Sequence, residues 1–278
     1  MIVEHVSDTA RIVAAHRARE TQRADGLIRD PFAALLSGEK GMAIAFGDPL
    51  AEYASFRIGL RDRFVDDLLA GVIQREAIET VVNLGAGLDT RPWRLNLPAG
   101  LRWIEVDFED MLAYKAEQLR NERPHCLFEQ IAADISLPAD RARVFDAIGD
   151  RTALVITEGL LMYLPKETLE ALSSEMFAAP AVRRWLLDVV SRESRFLMEC
   201  ARERPSDLHR EIENLRPKDH LQGKEILDLA AAHDWQEAEF RSYARDAIRV
   251  APDRVLESRA ERVPENDPSG VYLFGRPS

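Results

Sequence analysis

The chain has 278 residues, 46% of them hydrophobic and 31% charged, enough for one large α/β domain with an ample core. A formal net charge of -11 argues against a polyanionic partner, since nucleic-acid binding relies on clustered Lys and Arg. Two cysteines, Cys126 and Cys200, are too few for a disulfide framework or a four-thiolate zinc site.

The N-terminus lacks the basic flank and long apolar stretch of a signal peptide, and no eighteen apolar residues run uninterrupted. These features predict a cytoplasmic protein without a membrane span. The six histidines are scattered, with no i, i+4 pair, so no metal site is expected.

Residues 8–24 read as an amphipathic helix behind a Ser7 or Asp8 cap. Asp30-Pro31 predicts a second helix, with Phe32, Leu35 and Leu36 on one face, and Gly38, Gly41, Gly47 and Asp48-Pro49 predict a loop. From Tyr53 to Ile73, apolar residues at Phe56, Leu60, Phe64 and Leu68 recur every four positions. The first 75 residues thus form a helical cap ahead of the first strand.

Strands are then predicted at 80–84, 103–108, 127–132, 153–157, 185–190, 238–243 and 271–274, with helices at 109–120, 165–177 and 224–233. Strands alternating with helices at this spacing indicate parallel β-α-β units and an open sheet covered on both faces. The polar stretch 191–222 is the candidate lid, and the whole reads as one domain spanning 1–278, with the sheet proper in 80–190.

The chemistry concentrates at strand ends. The run Thr80-Val-Val-Asn-Leu84 breaks at Gly85-Ala86-Gly87, as a buried strand does where the backbone turns tightly beside a ligand. Asp107 closes the second strand twenty residues beyond Gly87, where an acid can accept the hydroxyls of a ribose; Glu105, two residues earlier on the same face, competes for that role. Asp134 follows the third strand and can accept from an adenine amine, with the Ile135 amide beside it, or can simply cap a turn. Glu158 follows the most apolar strand, so its carboxylate must be paired or exposed, and a cofactor's ammonium would satisfy it.

A dinucleotide fingerprint needs a third glycine where this chain has Thr90, followed by Arg91-Pro92. S-adenosylmethionine has no pyrophosphate to bury, so the residues favour that methyl donor over a nicotinamide cofactor. A nicotinamide-dependent oxidoreductase and a catalytically silent binding protein remain the alternative readings.

The strings Val82-Asn-Leu-Gly-Ala-Gly-Leu-Asp-Thr-Arg-Pro92, Trp103-Ile-Glu-Val-Asp107 and Thr157-Glu-Gly-Leu-Leu-Met-Tyr-Leu164 together resemble the leucine carboxyl methyltransferase family, and within it the bacterial polyketide-type O-methyltransferases. Ser7-Asp-Thr-Ala-Arg, Asp30-Pro-Phe-Ala and Arg61-Asp-Arg-Phe-Val-Asp-Asp67 are similar too, and the likeness extends to about Val190. The resemblance implies a Rossmann-like class I methyltransferase: α/β, with a mostly parallel seven-stranded sheet. It implies S-adenosylmethionine as cofactor, held by Arg61, Gly85, Ala86, Gly87, Asp107, Asp134, Ile135 and Glu158. Arg61 would bind the donor's carboxylate, with Arg63 as the competing arginine on that helix. The expected reaction is methylation of a carboxylate or hydroxyl on a small molecule. Tyr163 would orient the acceptor or serve as a core aromatic; no catalytic residue, acceptor identity or oligomeric state follows.

Overall fold

The sheet that carries the site is seven-stranded, in the order β3-β2-β1-β4-β5-β7-β6. The strands are β1 (Thr80–Leu84), β2 (Arg102–Asp107), β3 (Leu127–Ala132), β4 (Ala153–Thr157), β5 (Val182–Val189), β6 (Gln236–Ser242) and β7 (Gly270–Gly275). β1 to β5 pair in parallel, and β7 runs antiparallel between β5 and β6. This computed structural model describes residues 6–48, 51–191, 207–258 and 266–277.

Three helices precede the sheet: α1 (Val6–Gln22), α2 (Ala33–Gly47) and α3 (Ala51–Glu76). The crossovers are α4 (Arg91–Arg94), α5 (Glu109–Gln118), α6 (Pro138–Ile148) and α7 (Lys166–Ala178), and α8 (Asp207–Asn214), α9 (Lys224–Ala232), α10 (Arg245–Val250) and α11 (Pro252–Ser258) follow β5.

Strand alternation sorts the core onto two faces. Val82 and Leu84 of β1, Ile104 and Val106 of β2, and Val155 of β4 pack with α6, α7 and α9 through Val144, Leu169, Leu172 and Ile226. Their neighbours Val81, Trp103, Leu154 and Ile156 turn the other way, onto Phe56, Leu60, Phe64 and Leu68 of α3. Runs buried on both faces lack a polar side, which is why they stand out as continuous apolar stretches.

The chain reverses its direction of travel across the sheet between β1 and β4, and ligands in such sheets bind beyond the carboxyl ends at that point. The expected helices and the seven strands fall within a few residues of expectation, while α6, α10 and α11 carry helix where none was expected. A further region departs from expectation. Gly38, Gly41 and Gly47 lie within helix α2, which is kinked at Gly38 (φ 60°, ψ 178°) and does not open into a loop. A Cβ on Gly41 would stand 2.8 Å from the Arg11 carbonyl, so this glycine lets α1 and α2 touch. Of the expected lid, residues 192–206 lie outside the described residues, and Cys200 with them. Cys126 is a buried free thiol.

Candidate active site

β1 ends in a turn whose geometry excludes side chains. Gly85 and Gly87 adopt φ of +65° and +48°, a region that L-residues rarely enter. The amides of Gly85 and Ala86 both donate to the Val106 carbonyl (2.8 and 3.1 Å), tying the turn to β2. A Cβ on Gly85 would lie 2.8 Å from Leu160 Cδ1.

Above this turn lies a cavity of about 400 Å³, within the range typical of small-molecule sites. Its wall includes Arg61, Gly85, Ala86, Gly87, Asp107, Asp134, Ile135, Glu158 and Tyr163, so the structure brings every sequence-predicted site residue to one space. Asp107 accepts the Gly87 amide through Oδ2 and the Phe108 amide through Oδ1, both at 2.7 Å. Burial, opposed by these two hydrogen bonds, raises its carboxyl above the usual range. Each oxygen keeps a lone pair for a further donor.

The competitor for that role goes elsewhere. Glu105 is fully buried, ion-paired with Lys115 and hydrogen-bonded by Gln130, and it is absent from the cavity wall. Burial nevertheless raises its carboxyl to about 7. Arg63 likewise drops out: it is exposed and paired to Asp67 at 2.8 Å, whereas Arg61 lines the cavity.

At the β3 end, Asp134 accepts the Ser136 amide through Oδ1 (2.9 Å), and its own amide donates to Asp140. Asp134 Oδ2 and the Ile135 amide have no protein partner among the described residues, which leaves one acceptor and one donor side by side. The loop is clamped from behind by Arg141, whose Nη1 donates to the Ile135 and Ser136 carbonyls (3.0 Å each) while Nε holds Glu175.

Under the opposite end runs a buried ionic network that sequence reading missed in large part. Glu158 Oε1 lies 2.8 Å from Arg61 Nε, and Oε2 lies 2.8 Å from Arg91 Nη1. Arg91 also meets Asp62, Asp66 and Asp89 at 2.6 to 3.1 Å. Arg94 pairs with Asp66, Arg61 approaches Asp188 at 3.8 Å, and Arg17 of α1 pairs with Asp30 at 3.0 Å. Burial pushes the Glu158 carboxyl up, but Arg91 and Arg61 outweigh it and hold the group below its usual range. Asp188 moves the other way: burial raises it, and Arg61 only partly offsets this.

Asp188 is the penultimate residue of β5, close to the carboxyl edge that Asp107 occupies on β2, so a search of strand ends could have found it. Arg91 stood within the quoted glycine-turn string without a role. Arg17 carries no local signal, because its meaning comes from α1 folding back over the turn. Thr9, Ala10, Val13 and Arg17 of α1 all line the cavity. Tyr163, on the short 3-10 turn Leu161–Tyr163, shares a hydrogen bond with Thr9, and burial raises its phenol. Arg216 sits over the Tyr163 ring, 5.9 Å from its centroid.

Comparison with known proteins places this arrangement. The family model for leucine carboxyl methyltransferase matches residues 10–177. A provisionally named S-adenosyl-L-methionine-dependent methyltransferase of Streptomyces avermitilis is 36% identical over 185 residues, covering 62% of this chain and 65% of its own. One from Frankia alni, likewise provisionally named, is 36% identical over 185 residues, covering 62% and 64%. The chain therefore spans just under two thirds of the length of these relatives. Among solved structures, a DUF574 family protein from Streptomyces avermitilis superposes with a TM-score of 0.60 at 12% identity, covering 97% of both chains. An O-methyltransferase family protein from Burkholderia thailandensis gives 0.51 at 14% identity, covering 96% of this chain and 72% of its own. These two share the fold. The extent of the family match, more than half of the chain and all of the first four strands, shows that the chain belongs to the leucine carboxyl methyltransferase family.

Proposed function

We propose that this chain is an S-adenosylmethionine-dependent O-methyltransferase acting on a carboxylate or hydroxyl of a small molecule. One observation carries the reading: a glycine turn, two carboxylates with spare lone pairs and a buried acid-rich network meet around a single cavity at the sheet's carboxyl edge. The residues suit the donor's parts. Asp107 would accept the ribose hydroxyls, and Asp134 with the Ile135 amide would meet the adenine edge. Glu158 would face the ammonium and Arg61 the carboxylate. The names of the relatives support the same cofactor.

Bound there, S-adenosylmethionine supplies a methyl group activated by its sulfonium. The chain's contribution is positioning and exclusion of water, which can supply much of the acceleration of a bimolecular displacement. The glycine turn and α1 close the donor between them, and Leu160, Met162 and Leu164 make the wall near β4 apolar. A carboxylate acceptor is ionised at neutral pH and needs no base. For a hydroxyl acceptor, Tyr163 would orient the oxygen rather than take its proton, because its phenol is raised. The net charge of -11 favours a small acceptor over a nucleic acid.

Thr90 weighs against the nicotinamide reading. Its hydroxyl donates to buried Asp30 at 2.8 Å, so the position where a dinucleotide site needs glycine is committed to a polar tie. Thermal denaturation and calorimetry with S-adenosylmethionine, S-adenosylhomocysteine and NAD test the cofactor. The first two raise the melting temperature and NAD does not; absence of binding by both at millimolar concentration refutes the reading. Transfer of labelled methyl to a panel of carboxylic acids, phenols and alcohols then tests the acceptor class.

A further inference from the structure

The network beneath the aminoacyl end is not balanced. Four guanidiniums, Arg17, Arg61, Arg91 and Arg94, face six carboxylates, Asp30, Asp62, Asp66, Asp89, Glu158 and Asp188. Their side chains are all at most 16% exposed, so solvent screens the surplus poorly. Counting the neighbouring ion pair of Lys115 and Glu105 as well leaves the same surplus, seven acids against five cations.

Asp62 is the weakest-held acid of the set. It is 1% exposed, its Oδ1 accepts from Arg91 Nη2 at 3.1 Å, and its Oδ2 is buried without a hydrogen-bond partner. Arg91 is meanwhile shared with Asp66, Asp89 and Glu158. The groups facing Asp62 are Glu158 beyond β4, Arg17 from α1, Arg91 from α4 and its own neighbour Arg61. Burial first, then Glu158, raise its carboxyl to about 7 against the pull of the three arginines.

We propose that Asp62 makes the site read ligand charge: it carries a proton when the cavity holds no cation and releases it when the cationic methyl donor binds. This rests on the donor reading above. S-adenosylmethionine carries a sulfonium, an ammonium and a carboxylate, a net charge of +1, whereas S-adenosylhomocysteine has lost the sulfonium and is neutral. Donor entry with loss of one proton to buffer leaves the local charge unchanged. Methyl transfer removes the sulfonium charge, Asp62 takes a proton from solvent again, and the neutral product is held less tightly than the donor. The device favours donor over product without any contact to the methyl group. Asp62 does not line the cavity and acts through charge, as a specificity-determining residue.

The test is proton counting by titration calorimetry at pH 7.0, in phosphate and in imidazole buffers of different ionisation enthalpy. The ligands are S-adenosylmethionine, S-adenosylhomocysteine and sinefungin, which carries an amine in place of the methylsulfonium. Wild type should release protons, up to about one per site, on binding either cationic ligand, because a group whose proton affinity falls on binding gives up the proton it held. It should release none with S-adenosylhomocysteine. Asp62→Asn should abolish the release and narrow the affinity preference for donor over product about tenfold, equivalent to about 1.4 kcal/mol. Equal proton counts for the three ligands, or release that persists in Asp62→Asn, overturn the proposal while leaving the donor reading intact. If that variant fails to fold, the wild-type comparison across the three ligands decides alone. Failure of all three to bind refutes the donor reading and this inference with it.

Discussion

Replacing Asp107 by alanine is the most direct probe of the proposed donor site, because each of its carboxylate oxygens has a defined backbone partner. Oδ1 and Oδ2 each hold one backbone amide at 2.7 Å, and each keeps a lone pair facing the cavity. A hydrogen bond to a charged group contributes about 1.5–3 kcal/mol, and 1.4 kcal/mol is tenfold in affinity. Loss of one ribose contact therefore weakens S-adenosylmethionine and S-adenosylhomocysteine by roughly 10- to 150-fold. Two contacts would not simply add, since both depend on one carboxylate. Freed of its acceptor, the Gly87 amide finds water in the open cavity, so the melting temperature should fall only slightly. Titration calorimetry reads the affinity, and adenosine serves as the internal control: it has the ribose but no methionine, so its binding should weaken by a similar factor. An affinity within twofold of wild type, in a variant that melts normally, would refute the assignment of the ribose to Asp107.

Three further outcomes follow from the geometry. Gly85→Ala forces an L-residue to φ +65° with its Cβ 2.8 Å from Leu160, so about 1–2 kcal/mol of stability should be lost along with donor affinity, read by thermal denaturation and calorimetry. An unchanged melting temperature would mean that the turn relaxes freely. Arg141→Lys removes the fork that holds the Ile135 and Ser136 carbonyls, and should weaken adenosine binding about tenfold, the effect of losing one or two net hydrogen bonds; unaltered adenosine affinity would show that the loop holds itself. His16, 4% exposed and hydrogen-bonded to Ser55, is held neutral mainly by burial, its pKa lowered from 6.5 to about 4. The unfolded chain then binds the extra proton first, so stability falls as pH drops from about 6.5 to 4, by at most about 3 kcal/mol. His16→Gln should flatten that part of the stability curve, and an identical slope in both proteins would assign the acid sensitivity elsewhere.

The strands and the residues that line the cavity at their carboxyl ends were legible because each depends on a short local pattern. Val81 and Val82 belong to a run buried on both faces, and Gly85 and Asp107 end strands where a backbone turn and an acid have few other uses. The glycines of α2 misled for the opposite reason. Gly41 answers to a helix thirty residues away, and no local rule distinguishes a glycine that permits helix contact from one that makes a loop. Arg17 and Asp62 were silent for the same cause: their partners Asp30, Arg91 and Glu158 are scattered from residue 30 to residue 158. Asp62 even reads as an ordinary helical surface acid, since Arg63 beside it is one half of an exposed pair.

The network that escaped the local patterns also explains why the turn has the sequence it has. A buried ion cluster adds little net stability, because desolvating the charges offsets their attraction. What it does supply is fixed geometry. Arg91 is held at once by Asp62 and Asp66 of α3, by Asp89 of the turn and by Glu158 just beyond β4, so it joins three segments that meet at the cavity. Asn83 extends the link back into β1 by donating to Asp89 at 2.8 Å. In a dinucleotide site a third glycine lets the helix pack closely on its strand; here Thr90 and Arg91 occupy that stretch and tie it down by polar contacts. The guanidinium of Arg91 therefore positions Glu158, and it gathers Asp62, Asp66 and Asp89 around itself beneath the cavity. Departure from the dinucleotide pattern and the surplus of buried acids beneath the cavity are, on this reasoning, two consequences of one substitution of packing by charge.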